Sequence, residues 1–147
     1  MNSDVIPDIT MRGQDDPHGR PRAPRPPTVG QLAADLRDLA GRPADWWELI
    51  RFDPAGPSRI RLAGTDAAAA RWLTTWPPGY RTDLHDHSDT EVSTVIAGEL
   101  VEVTISADGV AERPLRANRV RVHGGGHTHE LHNVGPAYAI TLHAAMR

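Results

Sequence analysis

Gly79-Tyr-Arg-Thr-Asp-Leu-His85-Asp-His87-Ser-Asp-Thr-Glu91-Val-Ser-Thr-Val-Ile-Ala-Gly98 holds two histidines one residue apart, a glutamate beyond them and a glycine at each end. Read as extended chain, it projects His85 and His87 from one strand face, because side chains alternate with a period of two. Two imidazoles on one face are two ligands for a metal ion, and a third must come from another segment. Val122 to Val134, VHGGGHTHELHNV, offers His123, His127, His129 and His132, and strand periodicity does not choose among them. His143 lies further on, and His18 stands apart from this histidine-rich half.

Outward from this stretch, short β-branched segments are broken by Gly, Pro, Asn and Asp, the punctuation of an all-β domain. Strands are predicted over Ser58–Leu62, Ala69–Trp76, Thr82–His87, Glu91–Ile96, Leu100–Ser106, Arg119–His123, Thr128–Asn133 and Tyr138–His143. The Ala67–Ala70 run favours helix by propensity, but Trp72, Leu73, Thr74 and Thr75 follow it without a cap, so strand is preferred. So many antiparallel strands in one small domain avoid exposed edges by closing as a small barrel or jelly roll.

A helical lead precedes the strands. Thr28 is placed to N-cap a helix in which Leu32, Leu36 and Leu39 recur at helical spacing and which Gly41 ends. Pro43 to Ile50 reads as a second helix, with Trp46, Trp47 and Ile50 as its apolar face. Phe52-Asp-Pro-Ala-Gly-Pro57 is dense in turn formers and marks the change to strands. Residues 1–27, rich in Pro, Arg, Asp and Gly, read as a disordered, solvated tail. The expected organisation is a tail over 1–27 and one domain over 28–147, with the helical lead at 28–52 and the barrel at 58–147.

Composition narrows the chemistry. A chain of 147 residues suits one domain, burying roughly 70% of its unfolded surface. There is no cysteine, which excludes disulfides, thiolate metal sites and cysteine nucleophiles. All 16 basic residues are arginine, which excludes a Schiff-base lysine and a Walker-type phosphate loop. A formal net charge of −3 argues against nucleic acid as a partner. Mean hydropathy is −0.46, and no apolar run is long enough to span a bilayer, so no membrane association is expected. Met1 to Thr10 has no basic start followed by an apolar stretch, so the expected location is the cytoplasm.

Gly79, His85, His87, Glu91 and Gly98 reproduce the spacing of the first motif of the cupin superfamily, and Gly126, His129 and Asn133 resemble its second. That resemblance selects His129 as the third ligand and implies a small cupin (jelly-roll) barrel. Trp76-Pro-Pro-Gly-Tyr-Arg-Thr-Asp-Leu-His85-Asp-His87, then Ala97-Gly98-Glu99-Leu100-Val101-Glu102, then Ala139-Ile-Thr-Leu-His143 resemble the cysteine dioxygenase (thiol dioxygenase) branch, from about Trp46 to His143. The resemblance implies an Fe(II) cofactor on His85, His87 and His129, and a small thiol substrate oxidised with O2 to the sulfinic acid. L-cysteine is expected first and 3-mercaptopropionate next. It further implies that Arg61 binds the substrate carboxylate, with Arg59 the alternative on the same strand face. Thr141 would steady His143, a donor near the metal that does not touch it. The chain is expected to be a monomer or a weak homodimer.

Three neutral imidazoles suit this chemistry, since they hold a divalent ion without cancelling its charge and leave positions open for substrate and oxygen. Two positions depart from the branch. Where it carries a tyrosine two residues after the final histidine, this chain has Ala145, and its tyrosines, Tyr80 and Tyr138, lie elsewhere. Glu91, usual in cupins at large and generally absent from thiol dioxygenases, is retained. As a fourth ligand it would leave too few positions for a bidentate aminothiol and O2 together. His123, His127 and His132 are expected to be solvated or hydrogen-bonded histidines outside the site, Trp76 to be core, and Asp86 to face away from the ligands.

Overall fold

The computed structural model describes residues 25–64, 69–126 and 128–146. Most of the expected tail, His18 and His127 therefore lie outside the described residues. Thr28 caps α1 (Val29–Ala40) as a reciprocal box: its hydroxyl accepts from the Gln31 N–H at 3.2 Å, and Gln31 Oε1 accepts from the Thr28 N–H at 2.8 Å. Leu32, Leu36 and Leu39 line the buried side of the helix and pack on Leu73, Val92, Leu142 and Ala144. Those four project from the outer face of a sheet, so the lead helix closes one side of the strand domain.

The second expected helix is instead two single 3₁₀ turns, Pro43–Asp45 and Trp47–Leu49. Trp46, at φ −139° and ψ −15°, interrupts the helical path between them. The tryptophan pair accordingly divides. Trp46 is buried and donates its indole N–H to Leu39 O at 2.8 Å, whereas Trp47 is 62% exposed. Consecutive helical residues point about 100° apart, and here no regular helix brings the two rings back to a shared face.

Among the described residues eight strands follow: β1 (Ser58–Arg61), β2 (Ala69–Trp76), β3 (Glu91–Ala97), β4 (Leu100–Ser106), β5 (Gly109–Leu115), β6 (Val120–His123), β7 (His129–Asn133) and β8 (Ala139–Met146). They form a five-stranded sheet in the order β1-β2-β8-β3-β6 and a three-stranded sheet in the order β5-β4-β7, with antiparallel ladders throughout. Trp76, Val95 and Ala139 from the first sheet meet Leu100 and Leu131 from the second in the barrel interior. The all-β barrel with a helical lead is therefore the fold.

Two strands differ from the sequence reading. Thr82–His87 is not a regular strand and pairs through isolated bridges, Arg81 with His132 and His85 with His129. Asp83, Asp86, Ser88 and Asp89 favour local turns over a continuous ladder. β5 was not expected, because GVAERPL has no apolar alternation and all of it but Leu115 is exposed. It forms because Asp108-Gly109 closes a hairpin with β4 in which Ser106 pairs with Gly109, at a glycine φ of +122°.

Gly98 turns β3 into β4 at φ +80°, and a Cβ there would lie 2.6 Å from Ala139 Cα and 2.8 Å from Tyr138 O. Both are backbone atoms and cannot move aside as a side-chain tip does. Gly98→Ala is expected to destabilise the fold by about 3 kcal/mol or more, from positive φ and backbone overlap together. Urea denaturation should show a lowered midpoint with unchanged slope.

Candidate metal centre

His85, His87 and His129 come together at the mouth of the barrel although His85 and His87 are not on a regular strand. His85 and His129 exchange backbone hydrogen bonds, His85 N–H to His129 O at 3.0 Å and His129 N–H to His85 O at 2.8 Å. The Gly126 N–H donates to His87 O at 3.0 Å and ties the two segments together again. Gly126 takes φ +76°, so the second motif's glycine makes the turn that brings β7 under the His85–His87 segment.

Each ring is oriented by an oxygen at Nδ1. His85 Nδ1 lies 2.8 Å from Asp83 O, His87 Nδ1 lies 3.1 Å from Glu91 Oε2, and His129 Nδ1 lies 3.1 Å from Glu102 Oε2. A carbonyl and two carboxylates can only accept, so in the neutral ring the proton sits on Nδ1 and the lone pair on Nε2. Burial lowers the His87 pKa, the neighbouring carboxylate of Glu91 opposing this, and the balance favours the neutral ring.

Those lone pairs converge. His87 Nε2 and His129 Nε2 are 2.8 Å apart, and one ligand atom from each of the three histidines lies within 4.8 Å of the others. Two acceptor nitrogens at that separation make no hydrogen bond. Adjacent ligands at right angles, each about 2.0–2.1 Å from an ion, stand roughly 2.9 Å apart, which is this spacing. The residues fit a three-imidazole metal site.

Glu91 is half-buried at the site but is not arranged as a ligand. Oε2 faces His87 Nδ1, and Oε1 accepts from His143 Nδ1 at 2.7 Å. Burial raises its pKa, but the hydrogen bond from His143 and the neighbouring imidazoles outweigh that and leave it lowered. Thr141 and His143, expected as a pair, are in contact: the Thr141 hydroxyl lies 2.6 Å from His143 Nε2 and accepts from the Trp76 indole N–H at 2.9 Å. Trp76 therefore has a polar duty beside its core packing. The His143 ring also stacks on Trp72, with centroids 5.1 Å apart and planes 2° from parallel.

Two residues escaped the sequence reading. Glu102 has no exposed surface and lies on the inward face of β4, opposite Leu131 of β7. Oε1 accepts from Arg121 Nη2 at 2.7 Å and Nε at 3.1 Å, while Oε2 faces Nδ1 of His129 and, at 3.2 Å, of His123. Burial would raise its carboxyl, but hydrogen bonds from His129 and Arg121, with the charges of His123 and Arg121, hold it at about 2. The available signal was parity: Glu102 shares the inward face with Leu100, where a carboxylate requires a reason. His123, expected outside the site, is 3% exposed, with its ring 4.7 Å from that of His129. Burial lowers its pKa to about 4. Glu102, His123 and His129 also cluster within 4.8 Å, but there the Arg121 guanidinium already supplies the positive charge.

A cavity of about 320 Å³ opens over the three histidines, with Trp72, Glu91, His123 and His143 in its wall. Arg59 lines it, its guanidinium carbon 4.1 Å from the Trp72 ring centroid. Arg61 is exposed and pairs in register with Trp72, further along β1, and is not part of this lining. His132 stands outside the lining, its Nδ1 3.2 Å from Arg81 Nη2. Ala145 pairs with Glu91 across the β3–β8 ladder.

The model of the family described as cysteine dioxygenase type I matches residues 29–146, which takes in the helical lead, all eight strands and the metal centre. The chain belongs to the cysteine dioxygenase type I family. No curated protein matches it. Among solved structures it is similar to the TT1209 protein from Thermus thermophilus, at 20% identity and TM-score 0.59, over 69% of this chain and 93% of that one. A cupin superfamily protein from Desulfitobacterium hafniense aligns at 14% identity and TM-score 0.57, over 69% of this chain and 87% of that one. An oxalate oxidase in complex with the substrate analogue glycolate aligns at 23% identity and TM-score 0.54, over 63% of this chain. The aligned region spans about half, 52%, of the oxalate oxidase chain. These likenesses are of fold, and the fold is the cupin barrel.

Within this cysteine dioxygenase family member, Glu102 sets the tautomer of His129 and strengthens it as a donor. Glu102→Gln is expected to lower divalent-metal affinity about 10- to 100-fold, the range typical of partners that orient a ligand. Competition with a chromophoric chelator measures it, and circular dichroism should show the barrel retained.

Proposed function

We propose that the chain is an Fe(II)-dependent thiol dioxygenase that acts in the cytoplasm on a small carboxylate-bearing thiol, L-cysteine first and 3-mercaptopropionate next. The observation that carries this reading is the convergence of a ring nitrogen from each of His85, His87 and His129 beneath a small cavity with a guanidinium on its wall. Family membership supplies the dioxygenase class. When bound, Fe(II) supplies the redox chemistry by which the thiol sulfur takes up both atoms of O2 and leaves as the sulfinic acid, so that RSH and O2 together give RSO2H.

The chain's own residues bind and orient. Arg59 is the carboxylate anchor best placed for the cavity, since its fork can form a bidentate pair with the substrate and Trp72 holds it flat from beneath. Arg61, the first expectation from the sequence, is exposed further along β1 and does not line the cavity. His143 has both ring nitrogens engaged, by Thr141 and Glu91, so it acts chiefly as a positioning residue on His87 through Glu91. Thr141 at Nε2 and Glu91 at Nδ1 together fix the orientation of the His143 ring. His85, His87 and His129 would hold the ion, and Glu91, engaged by its two hydrogen bonds, would stay off it and leave room for substrate and oxygen.

Oxygen uptake by Fe(II)-loaded protein with L-cysteine, 3-mercaptopropionate and cysteamine, with product masses recorded, tests the reading. A product heavier by two oxygens is expected from the two carboxylate thiols, with cysteamine the poorest. Arg59→Ala should raise KM for L-cysteine at least tenfold with little effect on cysteamine, and His85→Ala should abolish iron retention. Stoichiometric iron with no uptake on any thiol would overturn thiol oxidation and leave a metal-binding cupin, a reading that Ala145 in the tyrosine position would then favour.

A further inference from the structure

β6 ends the five-stranded sheet, β5 ends the three-stranded sheet, and the seam between these edges encloses a cavity of about 440 Å³. Four arginines line it: Arg113 from β5, Arg116 and Arg119 from the turn into β6, and Arg121 from β6. The turn is pinned to the barrel. Asn118 takes φ 61°, its N–H donates to Val95 O at 3.0 Å, and the Arg119 N–H donates to Arg116 O at 3.3 Å. Pro114, Leu115, Val95 and Val120 supply an apolar wall.

The charge is unbalanced. Arg121 is paired with Glu102, and among the described residues Arg113, Arg116 and Arg119 have no ion-pair partner. Glu112 adjoins Arg113 in sequence but is not part of the lining. Gathering four guanidinium groups against one carboxylate in a chain of net charge −3 runs against the average field of the protein. Guanidinium forks match the oxygens of phosphate and sulfate groups, and a recess of this volume suits a metabolite-sized ligand.

We propose that the seam cavity binds a small molecule bearing a doubly charged tetrahedral oxyanion, and that its occupancy is felt at the metal centre through Arg121 and Glu102. Arg121 spends Nε and Nη2 on Glu102 Oε1, and its Nη1 has no partner among the described residues, so one guanidinium serves both sites. An anion against Arg121 draws positive charge away from Glu102. The carboxylate then accepts more strongly from His129 Nδ1–H, which makes Nε2 a better donor to a cation. The coupling is reciprocal: the anion tightens metal binding, and the metal tightens anion binding by the same factor.

The test is calorimetric titration of the metal-loaded full chain with sodium sulfate, against sodium chloride at matched ionic strength. One sulfate per chain is expected, with affinity at least tenfold weaker in R116A/R119A, whose exposed side chains leave folding intact, and unchanged in the α1 variant R37A. Equal affinity in the double variant, or displacement of sulfate by chloride as effective as dilution of charge alone, would overturn the site. Phenyl phosphate and inorganic phosphate distinguish the source. Tighter binding of phenyl phosphate identifies an ester seated on Pro114 and Leu115, equal binding identifies the free anion, and binding of an oligonucleotide alone would overturn a small ligand. Zn(II) affinity, read by chelator competition, should rise about fivefold with saturating sulfate in the wild type and not in R116A/R119A. No rise in the wild type would overturn the link to the metal centre.

Discussion

A carboxylate withdrawn from water needs donors on both oxygens, and Glu102 draws them from both sheets. The donor Arg121 on β6 belongs to the five-stranded sheet, whereas Glu102 on β4 and the donor His129 on β7 belong to the three-stranded one. The barrel interior is thus crossed by a charged cluster as well as by Val95, Leu100 and Leu131. Removing one partner of such a cluster leaves a buried charge uncompensated, typically at about 3–5 kcal/mol, so the cluster fixes the relative position of the sheets as much as it serves the site. The orientation of His129 depends on it directly. The orientation of His85 depends on it at one remove, through the two backbone hydrogen bonds that His85 and His129 exchange.

Glu91 plays the matching part on the other wall. Each of the two glutamates faces Nδ1 of a candidate ligand imidazole and lies beside a second histidine, His143 for Glu91 and His123 for Glu102. The retention of Glu91 in a thiol dioxygenase-like sequence has a structural reason in this arrangement. Its carboxylate orients the His87 ring through Nδ1 and is itself engaged by His143. The cupin spacing of the glutamate is preserved, and one of its oxygens is taken by the Nδ1–H of His143.

Much of this was legible from residues. The Thr28 cap with Leu32, Leu36 and Leu39 read as a helix because local chemistry and the apolar stripe agree. The strands carrying Leu73, Val92 and Leu142 read as strands because tertiary burial reinforces their pattern. Residue spacing alone marks His85 and His87 as candidate ligands, and the structure corrects the premise of a shared strand face: their segment is held by bridges and turns. β5 was missed because its residues are chosen for solvent, leaving only Asp108-Gly109 to announce it. Glu102 and His123 were missed as site residues because their importance comes from contacts between sheets, which one-dimensional periodicity does not encode. Arg59 and Arg61 share a strand face, and only the position of Trp72 beneath the cavity separates them.

β5 also bears on how copies of the chain meet in solution at high concentration. It presents an unpaired edge, the ordinary template for sheet growth, yet it is exposed along almost its whole length and carries Glu112, Arg113 and Pro114 in succession. An incoming strand would meet a missing donor at the proline and two charges that must lose water. Two copies related by a two-fold axis through the middle of this edge would set Glu112 against Glu112 or Arg113 against Arg113. The same side of the barrel that leaves its arginines accessible is thereby protected against edge-to-edge aggregation.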